Sequence, residues 1–229
     1  MNAARLAVCL GLALPAGWLA GLLVDRVPDR LPLFADLPGP RLHGKYLTMH
    51  VLLLVLYGLA AVRFSEAPVL QLVTYLVIFG SLVALAVIDL EVLRLPDRIV
   101  VPTFLVALVL VVITSVLDSD AGLIRFALAG AAMYFGVLLV FHLISPRAMG
   151  FGDVKLAAVL GLSLGWLAAS YQEVMVIVLW GMIVGFVLGS VVGIGLFIAR
   201  KRSRAYPFGP FIAVGTVVVV LLANPILNR

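Results

Sequence analysis

The sequence has a single cysteine, Cys9, in 229 residues. One thiol excludes an intrachain disulfide framework and any zinc site built from several cysteines. Charge is also scarce, at 12% Asp, Glu, Lys and Arg, where a soluble domain carries roughly 25%. Basic residues outnumber acids by 16 to 11, but they form no stripe interleaved with aromatics, which argues against a nucleic-acid partner. The chain is 64% hydrophobic, with a mean hydropathy of +1.24. That is the composition of a multispan membrane protein whose solvent is the lipid bilayer.

Apolar runs recur at residues 6–24, 47–62, 69–88, 99–117, 123–144, 154–170, 174–199 and 211–222. They predict an all-α fold, a polytopic membrane helix bundle of about eight transmembrane helices, forming one integral-membrane domain over residues 1–229. The first run is longer than the 7–15 apolar residues of a cleavable signal peptide, so it reads as a retained span. Residues 25–46 are polar and hold Pro28, Pro32, Pro38 and Pro40, which predicts an irregular loop.

The basic residues fall unequally between the two sides of such a bundle. The loops after the first, third, fifth and seventh runs, with their flanks, hold Arg26, Arg30, Arg41, Lys45, Arg94, Arg98, Arg147, Lys155, Arg200, Lys201, Arg202 and Arg204. Arg5, Arg63, Arg125 and Arg229 are left for the other side. The positive-inside rule makes the first set cytoplasmic and turns both termini outward. The run 200–204 reads as a stop-transfer anchor that also attracts anionic lipid.

Two acids at the ends of apolar runs stand out. Asp153 lies in Met149-Gly150-Phe151-Gly152-Asp153-Val154-Lys155, and Asp89 in Ile88-Asp89-Leu90-Glu91-Val92-Leu93-Arg94-Leu95-Pro96-Asp97. The topology puts both at the cytoplasmic edge of the membrane, where they can meet. Each also has a plainer reading: Asp153 as a helix N-cap, Asp89 as a solvated acid at a helix end, Asp97 as the N-cap of the fourth span. As a pair they suit aspartyl proteolysis. Two neighbouring carboxylates share one proton, the ionised acid activating a water and the protonated acid polarising a scissile carbonyl. Gly150 and Gly152 leave room for unusual dihedrals and for the close approach of another chain. Lys155 adds a positive charge that can tune the pair or simply snorkel to the interface.

Gly150 to Lys155 resembles the GxGDxK signature of the bacterial type IV prepilin peptidases, and Asp89 with Pro96-Asp97 is similar to their other motif. The resemblance extends to Leu22-Leu23-Val24-Asp25-Arg26-Val27-Pro28 and to Pro207-Phe208-Gly209-Pro210-Phe211. It implies a membrane aspartyl endopeptidase of the bacterial inner membrane, with Asp89 and Asp153 as a catalytic dyad needing no metal or other cofactor. Gly150, Gly152, Lys155, Pro96 and Asp97 would shape the site. The implied substrate is a type IV prepilin or a type II secretion pseudopilin, cut where its short basic leader meets an apolar helix. Many members carry two CxxC pairs that bind zinc between the first two spans and are associated with N-methylation. Here residues 25–46 hold no cysteine, so the methyltransferase activity is not expected.

A proton-coupled transporter using the two acids as a relay is the rival reading, but such sites lie near the midplane on broken helices. A non-catalytic scaffold of the same fold is a second. Gly181, Gly185, Gly189 and Gly193, with Gly161 and Gly165, read as small faces for helix packing. His50 and His142 read as interfacial histidines. The sequence sets no oligomeric state.

Overall fold

The computed structural model describes residues 3–32, 39, 43–146, 149–198 and 207–227. Among the residues used above for charge and loop assignments, Pro38, Pro40, Arg41, Arg147, the run 200–204 and Arg229 lie outside that set. The described residues form α1 (Ala3–Arg26), α2 (Lys45–Arg63), α3 (Val69–Val92), α4 (Asp97–Leu117), α5 (Ala121–Ile144), α6 (Phe151–Gly165), α7 (Tyr171–Ile198), α8 (Gly209–Leu221) and the single turn α9 (Ala223–Ile226). A helix therefore stands at each of the eight expected places. Six of them, α1 to α5 and α7, are long and apolar enough to cross a membrane.

α6 and α8 are the short helices of the eight, with 15 and 13 residues. α6 begins at Phe151 and ends at Gly165, a rise of about 22 Å, against a hydrocarbon thickness of ~30 Å. Eleven of its 15 residues are buried, so it faces protein more than lipid. It packs on α5, α4, α8 and α7. Glycines bring it close to α5: a methyl group on Gly161 would collide with the Gly130 carbonyl, and one on Gly165 with the Phe126 carbonyl. On α7, Gly181, Gly185 and Gly189 face α6 or α8 in the same way, whereas Gly193 has nothing within 4 Å.

Several buried polar groups find backbone partners, as a low-dielectric interior favours. Tyr75 is fully buried and donates to the Ser163 carbonyl at 2.6 Å, with its ring stacked on Phe64 at 4.4 Å. Tyr57 donates to the Leu76 carbonyl at 2.9 Å. His50 is 5% exposed, packs on Gly17 of α1, and its Nδ1 lies 2.7 Å from the Tyr46 carbonyl.

The basic residues gather at two ends. At one, Arg5 donates to the carbonyls of Phe64, Ser65 and Ala67, and Arg63 to Val220 and Asn224. At the other, Lys45 bonds Glu91 at 2.9 Å and lies 3.6 Å from Asp25, whose carboxylate accepts from the Tyr46 hydroxyl at 2.8 Å. This second network ties the ends of α1, α2 and α3 together.

Candidate active site

Asp89 lies one turn before the end of α3, and α3 ends because Leu93 takes a left-handed conformation (φ 54°) and donates its N–H to the Asp89 carbonyl. A branched residue there is strained by about 1–2 kcal/mol. The turn redirects the chain so that Leu95 lies against Gly152 and Gly209 before Pro96, the N-cap of α4. Asp153 occupies the first turn of α6. α8 packs on both α3 and α6, which brings its first residue, Gly209, between the two acids.

The geometry is tight. A methyl group on Gly209 would lie 2.9 Å from Asp89 Oδ2, 3.4 Å from Asp153 Oδ1 and 3.2 Å from Leu95 Cδ1. The two carboxylate oxygens are therefore within about 6 Å of each other, the range in which one charge disfavours the other. Asp89 and Asp153 are 5% and 8% exposed, and Asp89 Oδ2 has no hydrogen-bond partner among the described residues. Burial, and after it the Asp89 charge, push the Asp153 carboxyl above the ordinary carboxylate range, while the backbone amide of Gly150 pulls it down.

The acids form the floor of an open cleft of about 770 Å³ whose lining includes every residue singled out in the two motifs: Asp89, Pro96, Asp97, Gly150, Gly152, Asp153 and Lys155. Several details differ from the sequence reading. Asp97 caps nothing: α4 has Pro96 at its N-cap position without a side-chain bond, and the Asp97 carboxylate binds Lys155 Nζ at 2.7 Å. Lys155 therefore has Asp97 as its partner, with its ammonium 5.0 Å from the Phe151 ring. Asp153 is not the N-cap of α6 either, since Gly150 holds that position in an ordinary extended conformation (φ −68°). Gly152 is helical, and what its bare Cα allows is contact, since a methyl there would sit 3.0 Å from Leu95 Cβ.

Gly209 and Leu95 are the site residues that the motifs did not single out. The signal for Gly209 is a glycine between two prolines at the start of an apolar run, Pro207-Phe208-Gly209-Pro210, where a small residue is placed for close approach. Leu95 carries no such signal, because its position follows from the left-handed turn at Leu93. His142, in the last turn of α5, has its Nδ1 2.8 Å from the Met149 carbonyl, beside the Phe151 ring.

Among the described residues, no group of three or more His, Cys, Asp or Glu side chains is arranged to hold a metal ion. The α1–α2 loop has no cysteine, and Cys9 is buried within α1.

A model of the type IV leader peptidase family matches residues 76–198. A prepilin leader peptidase/N-methyltransferase of Aeromonas hydrophila is 31% identical over 169 residues, covering 72% of this chain and 55% of that protein. The protein of the same description from Bacillus subtilis is 30% identical over 193 residues, 83% of this chain and 71% of its own length. That of Pseudomonas putida is 34% identical over 152 residues, 64% and 48% respectively. The chain thus spans about half the length of several curated relatives that it matches. No solved structure matches it. Both buried aspartates fall inside the stretch that the family model covers, and the chain belongs to the type IV leader peptidase family.

Proposed function

We propose that this chain is a membrane aspartyl endopeptidase that removes the leader from type IV prepilins or pseudopilins, with Asp89 and Asp153 as its catalytic dyad and residues 1–229 working as a single domain. The observation that carries this reading is the convergence of two buried carboxylates, from separate helices, on the floor of an open cleft. Family membership supplies the substrate class.

In this mechanism the dyad holds one proton. The ionised carboxylate takes a proton from water as the oxygen attacks the scissile carbonyl, and the protonated carboxyl donates to the carbonyl oxygen as it gains negative charge. Collapse of the tetrahedral intermediate returns a proton to the leaving amine and restores the singly protonated pair. The cleft gives an extended peptide access from one face, so the carboxylates need not sit at the bilayer midplane, where their desolvation would cost most.

The dyad end of the bundle also carries Arg30, Lys45, Arg94, Arg98 and Lys155, while Arg5, Arg63 and Arg125 lie at the other. The positive-inside rule then turns the cleft to the cytoplasm of a bacterial inner membrane, the side on which a basic leader remains. Co-expression with a prepilin tests the assignment. Asp89→Ala and Asp153→Ala should each leave the leader attached, and full leader removal by either variant would overturn the dyad.

A further inference from the structure

The peptide group that joins Met149 to Gly150 stands at the entrance to the Asp153 turn. Its oxygen, the Met149 carbonyl, lies 2.8 Å from His142 Nδ1. A carbonyl only accepts hydrogen bonds, so Nδ1 is the protonated nitrogen of that pair. The other end of the same peptide group is the Gly150 N–H; Gly150 is the N-cap of α6 and Asp153 stands at N3, the position whose side chain reaches back toward the N-cap N–H, with its Oδ2 3.3 Å from the position of a methyl on Gly150. In a trans peptide the C=O and N–H point in opposite directions within one plane. Holding the oxygen therefore aims the hydrogen.

We propose that His142 is a positioning residue for the dyad: its Nδ1–H fixes the Met149 carbonyl and thereby turns the Gly150 N–H onto the Asp153 carboxylate. The anchor is independent of α6, because His142 belongs to the last turn of α5 and its ring also packs on Phe151, at 5.4 Å between centroids. Without it, the Met149–Gly150 peptide is free to rotate about its flanking bonds and Asp153 loses a donor. The other charged groups lining the cleft around Asp153 are Asp89 from α3, Arg94 from the turn after it, Asp97 and Arg98 from α4, Lys155 from α6, and Asp29 and Arg30 after α1. A change at His142 alters none of them.

The inference rests on the aspartyl-peptidase reading for its kinetic consequence but not for its geometry, and the experiment separates the two. His142→Asn keeps an N–H donor near the Nδ1 position, while His142→Phe and His142→Leu remove it and retain bulk. For the detergent-solubilised full chain acting on a purified type IV prepilin, the donor-less variants should lose about 10-fold to 100-fold in kcat, the scale of a misplaced catalytic group, with little change in KM. His142→Asn should stay close to wild type. In parallel, an infrared titration isolates the Asp153 carboxyl as the difference from Asp153→Asn. Its midpoint should move to higher pH in the donor-less variants and stay in place in His142→Asn. An unmoved midpoint in the donor-less variants, or His142→Asn behaving as they do, overturns the proposal. Failure of the wild type to cleave would count against the peptidase reading, and the infrared comparison would still decide the role of His142.

Discussion

Gly209 faces Asp89 so closely that a methyl group on it would lie 2.9 Å from the unpartnered Oδ2. Space at this point comes from having no side chain, because α3, α6 and the Leu95 turn all converge on it. Gly209→Ala should displace a carboxylate and reduce prepilin cleavage by about 100-fold, as expected for a catalytic group moved by ~1 Å. Gly193→Ala on α7, where nothing lies within 4 Å, is the matched control and should cleave normally. Equal rates for the two variants would remove Gly209 from the site.

The Asp153 carboxyl gives a stability prediction with a definite sign. Its folded pKa is raised, first by burial and then by Asp89, so the folded chain holds that proton more tightly than the unfolded chain. Stability is complete below the ordinary carboxylate range and is lost as pH rises through the raised value. Asp153→Asn cannot ionise and escapes this loss. Thermal unfolding in detergent from about pH 4 to about pH 9 should show the Asn variant gaining on wild type as pH rises, then levelling off. A difference that is flat across the range would mean that the carboxyl titrates normally.

The ion pair between Lys155 and Asp97 lies at the cleft mouth, with side chains 31% and 60% exposed. Pairs this open contribute under ~1 kcal/mol, because water and salt screen them. Asp97→Asn should therefore keep most of the cleavage activity and shift the melting temperature little. Complete loss of activity would place Asp97 in the catalytic set in place of Asp89.

Much of the site was legible in the sequence because its acids are local exceptions. Asp89 and Asp153 each stand at the end of an apolar run, and all seven motif residues line one cleft. Helix positions were legible for the same reason, since mostly apolar runs of about 16 or more residues have few alternatives to spanning a bilayer. The exceptions are α6 and α8, whose apolar runs are equally greasy but are shielded by other helices, a distinction that hydropathy does not make. Pairing was not legible either. Lys155 meets Asp97 across 58 residues, and His142 meets Met149 through a loop, because both contacts depend on how α4, α5 and α6 dock. Leu95 belongs to this class, since its place follows from one left-handed residue at Leu93.

The docking of α5 on α6 offers the most direct test of how the scaffold supports the dyad. Gly130 and Gly161 meet backbone to backbone, and a methyl on Gly161 would strike the Gly130 carbonyl, which cannot move as a side chain can. Gly161→Ala must push the helices apart, at a cost of about 1–3 kcal/mol for overpacking, and α6 carries Asp153 with it. Gly136→Ala, on the same α5 helix but with nothing within 4 Å, imposes no such strain and gains a little helix propensity. Thermal unfolding should therefore fall for Gly161→Ala and hold or rise for Gly136→Ala. Cleavage should fall only in the first. If Gly161→Ala melted as wild type does, the close α5–α6 contact would not be what holds the first turn of α6, and Asp153 with it, against α3.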